Sequence, residues 1–328
     1  MVVLLKIWIK LINLLQIAFD NMRKISVLGD SNVDLLLNVA NPNKLADPQL
    51  FCGGSSANVA TGLSKLGNEV CFFGAVGNDI YGKHVQKDLL DNIVNIDGLY
   101  VLDNYSTATV IAVIDKTGER NLFVWPTENA AHSQYSLTSH DTKVLNECNW
   151  LHVSGISLRE NPTRSSMLDA MRLCKNSQIK VSFDLNLRIE LWGLDNEFIN
   201  VIFEAIDLSD YIFGNLEEEY YNLFNTNHMS DIISNAAYKN KVLITREGSK
   251  GATAYFEDEI YSAESFDVKP VDTVGAGDAF NTGFIHSMLN LNNLESALRF
   301  GNAVAGYKLQ GEGARYLPNL SQLEDFIK

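Results

Sequence analysis

Positive charge is what this 328-residue chain has least of. Lysine and arginine together number 26 against 40 aspartates and glutamates, a formal net charge of −14. A surface of that sign repels phosphate backbones, so no nucleic-acid partner is expected. A small phosphate-bearing ligand stays open, because backbone N–H groups and a bound cation can neutralise it locally. On the plainest reading the excess acid only keeps the chain soluble. Cysteine is also scarce. Cys52, Cys71, Cys148 and Cys174 lie far apart with no C-x-x-C pair, which speaks against a zinc site or a redox dithiol and fits a reducing, cytoplasmic setting. There are six prolines, and no low-complexity or tail-like tract. A long uninterrupted apolar run is missing as well. Residues 2–19 are nearly all apolar, yet Lys6, Lys10, Asn13 and Gln16 interrupt them and, with Asp20, cluster roughly on one side of a helix. A membrane span is therefore not expected, and Gln16-Ile17-Ala18-Phe19 is a poor cleavage site for a signal peptide. Residues 1–21 read as a non-native or dispensable apolar extension, with an amphipathic surface helix or a membrane anchor as the alternatives, and Met22-Arg23-Lys24-Ile25-Ser26-Val27-Leu28-Gly29 as the start of the folded unit.

What is present is an α/β rhythm long enough for one large domain. Residues 25–28, 70–73, 150–153, 181–183, 211–213 and 241–245 are short apolar runs that read as buried strands. Helical stretches at 57–66, 83–92, 165–174 and 197–205 separate them, which predicts a parallel sheet covered by helices on both faces. Two stretches break the rhythm. Residues 34–51 have no helical period and contain Pro42 and Pro48. Residues 107–125 read as a hairpin of strands 109–114 and 121–125 turning at Asp115-Lys116-Thr117-Gly118. An antiparallel insertion in such a chain is a candidate lid, or an ordinary surface hairpin.

Three glycine-rich segments carry candidate chemistry. In Val271-Asp272-Thr273-Val274-Gly275-Ala276-Gly277-Asp278, two glycines precede a helical pattern with Phe280, Phe284 and Met288 four residues apart. That arrangement aims free N–H groups and a positive helix end at one point, where an anion can sit. Asp278 falls in the first turn, where an acid is also common merely as a dipole-favouring residue. Cys52-Gly53-Gly54-Ser55-Ser56-Ala57-Asn58 feeds a second helix and would place the Asn58 amide in a cleft, or form a plain loop. Gly77-Asn78-Asp79-Ile80-Tyr81-Gly82-Lys83-His84 nearly matches a phosphate-binding P-loop, but His84 replaces the hydroxyl that would hold Mg²⁺, so a structural turn is expected. The first strand ends Gly29-Asp30-Ser31-Asn32 rather than in G-x-G-x-x-G, which excludes a nicotinamide dehydrogenase.

The Gly-Gly-x-x-Ala-Asn segment, the Asp-Thr-Val-Gly-Ala-Gly-Asp segment and the lid-like hairpin, in this order, resemble the signatures of the ribokinase-like (PfkB) carbohydrate kinases. Gly74-Ala75-Val76-Gly77-Asn78-Asp79 is also similar to that family and explains the false P-loop. The resemblance implies a ribokinase-like α/β fold, a parallel-sheet sandwich with a small β lid. It places the kinase domain at 22–328, with lid segments near 34–52 and 105–126. It also implies ATP and Mg²⁺, with K⁺ as a further candidate, a small-molecule sugar substrate, and a homodimer formed through the lid. Residue by residue, it gives Asp278 the role of catalytic base and the backbone of Gly275, Ala276 and Gly277 that of anion hole. Asp34, Gly54 and Asn58 would contact the sugar. Asn186, Arg188, Asn215, Thr245, Gly248 and Asn302 would meet phosphate or nucleotide. Glu218 would place Mg²⁺ through water, and Asp272 would hold a monovalent cation.

Phe183-Asp184-Leu185-Asn186-Leu187-Arg188 and Ser154-Gly155-Ile156-Ser157-Leu158 are most similar to the fructokinase and 2-keto-3-deoxygluconate kinase branches. The implied reaction is transfer of the γ-phosphoryl group of ATP to a primary hydroxyl of a ketose or sugar acid. A ribokinase or nucleoside kinase is the alternative within the family, and a non-catalytic sugar-binding regulator the alternative outside it. Two departures stand out. Thr245-Arg246-Glu247-Gly248 has one residue more than the family's nucleotide loop. Pro126 and Thr127 follow Trp125, where sugar-acid kinases of this kind carry an arginine for the substrate carboxylate. Fructose is therefore expected ahead of the acid, unless Arg159 or Arg164 reaches the site from another loop.

Overall fold

The computed structural model describes residues 23–38, 48–114, 120–126 and 128–328. The predicted extension at 1–21 and the turn at 115–118 lie outside the described residues. Among those described, no helix is long and apolar enough to cross a membrane.

The strands, in chain order, are β1 (Lys24–Leu28), β2 (Asn32–Asn38), β3 (Gln49–Gly53), β4 (Glu69–Gly77), β5 (Asn95–Leu102), β6 (Ala108–Ile114), β7 (Arg120–Trp125), β8 (Trp150–Ser154), β9 (Lys180–Asp184), β10 (Tyr211–Asn215), β11 (Val242–Arg246), β12 (Ala252–Phe256) and β13 (Glu259–Ala263). Nine of them form one sheet in the order β13-β12-β11-β10-β9-β8-β1-β4-β5, and the other four form a separate sheet, β3-β2-β6-β7. All six apolar runs predicted as strands are strands of the large sheet.

The long helices are α1 (Ser55–Lys65), α2 (Ile80–Asp91), α3 (Thr163–Asn176), α4 (Asn196–Leu208), α5 (Ala276–Leu291) and α6 (Leu294–Lys308). They cover both faces, as the continuous burial of the central strands demands. Leu28, Val153, Val181 and Phe183 pack with Met167 and Met171 of α3 and Phe198 and Ile202 of α4. On the other face Ile25, Val27, Phe72 and Phe213 pack with Val59 and Leu63 of α1, Phe280 and Phe284 of α5 and Leu298 of α6.

The large sheet departs from the predicted all-parallel order at one edge. β12 runs antiparallel to β11, and β13 to β12. Only Glu257 and Asp258 join β12 to β13, with φ 54° at Glu257, and so short a connection permits only an antiparallel return. Elsewhere the pairings are parallel, with β1 between β4 and β8. The chain leaves β1 toward β4 on one side and later returns to β8 on the other. In such open sheets ligands bind outside the carboxyl ends of the strands at this reversal.

The small sheet contains the predicted hairpin, β6 paired antiparallel with β7, Ile111 opposite Phe123. The aperiodic stretch from Asp34 onward supplies β2 and β3, so both expected lid segments belong to one sheet. The P-loop look-alike is a capped turn. Asp79 accepts from Gly82 N at 2.7 Å and so caps α2, and it also accepts from Thr107 N at 2.8 Å and Thr107 Oγ1 at 2.9 Å. Lys83 projects into solvent.

Asp79 therefore ties β4 to the base of the lid, while Lys83 ties nothing. Asp79→Ala is expected to lower stability by about 1–2 kcal/mol in chemical denaturation, through the lost cap. Lys83→Ala should leave kcat and the KM for ATP within about threefold of the parent; a collapse of ATP affinity would restore the P-loop reading.

Candidate active site

Residues at the carboxyl ends of five neighbouring strands lie side by side: Asp30 after β1, Ser154 of β8, Asp184 of β9, Asn215 of β10 and Arg246 of β11. Two helix N-termini, of α1 and α5, enter the same region. Helix α1 cannot cap itself, because Gly54 stands at its N-cap with φ 93°. The cap comes from Asp30, whose carboxylate accepts from Ser55 N at 2.8 Å, Ser56 N at 3.0 Å and Ser56 Oγ at 2.9 Å. A side chain at Gly54 would place its Cβ 2.6 Å from Ser31 Cα, so the close passage of the two backbones excludes one.

Small residues then let α1 press against α5. A Cβ at Gly62 would lie 2.7 Å from the Thr282 side chain. This contact brings the two signature segments together over 220 residues of sequence: Asn58 Nδ2 donates to Asp278 Oδ2 at 2.8 Å, and Ser55 Oγ donates to Asp278 Oδ1 at 2.7 Å. The Asp278 carboxyl lies deep in the cleft, and burial pushes it up to about 6, against the opposing pull of the Asn58 and Ser55 hydrogen bonds.

Gly275 is the N-cap of α5 in the left-handed region, φ 77°, and packs on Ala314. Ala276 N turns back onto Thr273 O at 3.2 Å, so in this state that donor is engaged. Beneath Gly277 lies the Arg246 guanidinium; a Cβ there would be 2.9 Å from Nη1. Arg246 grips Asp184 with both terminal nitrogens at 3.1 and 2.7 Å, and Asn281 bonds both partners. Burial opposes the Arg246 charge, but Asp184 and Glu219 outweigh it and hold the guanidinium above its ordinary value.

Asp34 lies on β2 of the lid, hydrogen-bonded to Asn32 Nδ2 at 2.6 Å. Burial pushes it up to about 6, with the Asn32 bond and the Arg315 charge pulling down. Asn186, buried with φ 37°, donates to Ser154 Oγ at 3.0 Å, while Arg188, φ 48°, is exposed. Non-glycine residues held at positive φ are strained, a common feature of ligand-binding turns. Asn215 Oδ1 accepts from the backbone N–H groups of Glu217 and Glu218 at 3.0 and 2.9 Å, and the Glu218 side chain faces solvent. Gly248, φ 59°, sits in an exposed turn with open space where a Cβ would be.

Three of the expected ligand contacts are engaged within the protein. Thr245 is fully buried, its hydroxyl 3.4 Å from Thr253 O and 3.5 Å from Glu247 Oε1. Asn302 spends its Nδ2 on Ala263 O and Glu264 O at 2.9 and 3.0 Å, which anchors the β13 end rather than reaching outward. Asp272 faces the buried Lys308 ammonium, 3.8 Å from its Oδ2.

Four residues of the cleft were missed. Asp30 and Asp184 lie inside recognised segments without a local signal of what they hold. Arg246 was read only as part of a nucleotide loop. Arg315 follows α6 in a glycine-rich turn, and no sequence pattern marks it. Its Nε donates to Asn58 Oδ1 at 2.7 Å, its Nη2 to Gly53 O at 3.2 Å, and its Nη1 meets Asp88 at 2.5 Å and also Thr61. With Oδ1 held by Arg315, the Asn58 amide can only present its NH₂ to Asp278.

A carboxylate beside a helix N-terminus, at the reversal point of a parallel sheet, is an arrangement compatible with phosphoryl transfer to an alcohol. The family profile described as "pfkB family carbohydrate kinase" matches residues 22–320, and the chain belongs to that family. It is 30% identical to a fructokinase of Vibrio alginolyticus over 313 residues, covering 93% of this chain and 99% of that one. A 5-dehydro-2-deoxygluconokinase of Listeria innocua is 29% identical over 259 residues, 78% of this chain and 79% of the relative. Among solved structures, a double-mutant fructokinase of Vibrio cholerae O395 with fructose, ADP and a potassium ion bound superposes with a TM-score of 0.80 at 28% identity, covering 94% of this chain and 99% of that one.

Asp278 can accept a proton only when ionised, so activity should be full well above the value of about 6 to which its carboxyl is raised and fall as pH drops through it. Asp34, pushed up to about 6 as well, gives up part of its acceptor capacity and its charge when protonated, which weakens its hold on sugar hydroxyls. The acid limb of kcat/KM is expected to approach a two-proton slope in the parent and a one-proton slope in Asp34→Asn. Asp278→Asn should lower kcat by at least ~10²-fold with substrate binding retained. A flat profile down to pH 5, or near-normal turnover in Asp278→Asn, would remove the base assignment.

Proposed function

We propose that this carbohydrate kinase transfers the γ-phosphoryl group of ATP to a primary hydroxyl of a neutral ketohexose, with fructose preferred over 2-keto-3-deoxygluconate. The observation that carries the preference is the commitment of both candidate arginines. Arg159 donates to Leu187 O at 2.6 Å and Gly193 O at 3.0 Å, and its guanidinium stacks 3.5 Å from the Phe198 ring centre. Arg164 donates to Leu158 O at 2.8 Å and pairs with Glu197 at 2.7 Å, and it also reaches Arg159 O. Neither presents a fork to a substrate carboxylate. An acid would lose a charge-assisted contact of about 1.5–3 kcal/mol.

In this reading Asp34 accepts from sugar hydroxyls and Asn58 holds the substrate near Asp278. The acceptor hydroxyl displaces Ser55 or Asn58 from one Asp278 oxygen and gives up its proton there as the phosphoryl group arrives. The N–H groups of residues 275–277 neutralise the transferring group, and Arg246 supports that loop from below. Asn186, Arg188 and Asn215 border the phosphates, and Gly248 leaves room on the nucleotide side. Glu218, exposed three residues past β10, would fit as a water-mediated partner of Mg²⁺. When bound, Mg²⁺ neutralises charge on the transferring phosphoryl group.

The lid supports a second-copy interface. Leu50, Leu35, Ile111 and Phe123 are successive cross-strand partners and therefore form one apolar row across the small sheet. Phe123 is 58% exposed and Leu50 39%. A homodimer packed lid to lid would bury this row. Light scattering of the parent should give twice the chain mass, and Phe123→Glu the single mass. A monomeric parent would end this proposal.

The substrate test is an ADP-release assay over ketoses, aldoses, sugar acids and nucleosides. Fructose is expected to give the highest kcat/KM. A value for 2-keto-3-deoxygluconate about tenfold above it, equivalent to ~1.4 kcal/mol, would reverse the ordering. Activity confined to nucleosides would remove the proposal.

A further inference from the structure

Resemblance to the family gives Asp272 to a monovalent cation, and the Vibrio cholerae relative is a potassium-bound protein. The residues around Asp272 do not fit a mobile ion. Lys308, the last residue of α6, is 0% exposed and sends its ammonium into this place. The contact pattern is not that of an ordinary salt bridge. Lys308 Nζ donates to the Asp272 carbonyl oxygen at 2.7 Å and lies 3.5 Å from Gly311 O, whereas the Asp272 carboxylate stands farther from it than the carbonyl, at 3.8 Å. A monovalent charge held by backbone carbonyls, with a carboxylate behind them, is what a potassium ion takes. The helix C-terminus also favours a cation there.

We propose that the Lys308 ammonium is a built-in monovalent cation, tethered where a potassium ion would otherwise bind, so that this kinase works without one. Its position explains what it would sustain. Asp272 Oδ2 accepts from Gly313 N at 2.9 Å, and its Oδ1 from Val274 N at 3.0 Å. Leu309 O accepts from Val271 N at 2.7 Å. The ammonium thus pins the strand of chain leading into Gly275 to the turn that carries Ala314 and Arg315. Ala314 packs on Gly275, and Arg315 orients Asn58. One fixed positive charge therefore serves both the anion loop and the Asn58–Asp278 pair. An exchangeable ion would be lost at low salt, whereas a covalently tethered one is present at every salt concentration.

The proposal rests on the kinase activity of the family and not on which sugar is used. It is tested on the full chain at constant ionic strength in potassium, sodium or tetramethylammonium chloride, reading both turnover and Tm. Parent kcat should agree within about twofold across the three salts, and Tm within about 1 °C, because no cation binds the folded state selectively. Activation by potassium of about fivefold over tetramethylammonium, or a potassium-specific rise in Tm, would overturn it. Lys308→Ala opens the place to an ion. It should lose at least ~10-fold in turnover in tetramethylammonium and regain at least about threefold in potassium, with a matching potassium-specific gain in Tm. A folded Lys308→Ala protein indifferent to potassium would also overturn the proposal. Should that variant not fold, the parent's responses decide the matter. A parent inactive on every sugar would sink the substrate reading while the Tm comparison still decides this one.

Discussion

The contact between α1 and α5 is the constraint on which the site depends. Each helix brings its N-terminus to the cleft, and each contributes one half of the central pair, Asn58 from the first and Asp278 from the second. Neither half is placed by its own segment. Helix α1 is fixed by Asp30, a carboxylate from the end of β1, and the rotation of Asn58 is fixed by Arg315, from beyond α6. The approach is permitted by Gly62 against Thr282, where one added carbon would force the helices apart. Packing and site geometry are therefore the same requirement here: a change that widens the helix pair also separates Asp278 from Asn58.

A chain with an excess of acid has to hold a phosphoryl group, and the structure shows how its few cations are concentrated. Arg246, Lys308 and Arg315 are largely buried, and each lies against a carboxylate, of Asp184, Asp272 and Asp88. Such pairs are poor sources of stability, because desolvating both charges offsets most of their attraction. Their value is positional. Arg246 lies under Gly277, Lys308 under the approach to Gly275, and Arg315 behind Asn58, so three fixed positive groups surround the site from the protein side. Removing Arg246 would leave the buried Asp184 carboxylate with the Asn281 amide but no countercharge of its own, which ties that cation to the fold as firmly as to the site.

Much of this was legible in the sequence, and the reasons for the misses are physical. The six apolar runs became strands because continuous burial on both sheet faces leaves an unmistakable pattern. The glycine signatures declared themselves because turns at helix N-termini impose local backbone demands, as at Gly54 and Gly275. Strands β12 and β13 were not read, since an edge hairpin with exposed positions lacks the continuous apolar run that marks a central strand. Arg315 was invisible for a different reason. Its partners Asn58 and Asp88 are 257 and 227 residues away, and no local pattern can encode a contact closed only by the packing of α1, α2 and the chain after α6.

On the proposed reading, the acidity of Asp278 limits what it can do as a base. Even raised to about 6, it lies roughly ten pKa units below water at 15.7, and a sugar hydroxyl is comparable. Full deprotonation before attack would cost about 13 kcal/mol at 1.36 kcal/mol per unit. The proton must therefore move late, when the oxygen is already bonding to phosphorus and its acidity has risen. A general base used this way contributes about 10²–10⁴-fold. The remainder of the rate enhancement has to come from alignment and charge neutralisation, the usual division in phosphoryl transfer. That division accounts for the economy of the site: one carboxylate takes the proton, while Asp30, Arg246, Lys308 and Arg315, none of which needs to touch the reacting atoms, hold two helix N-termini in place.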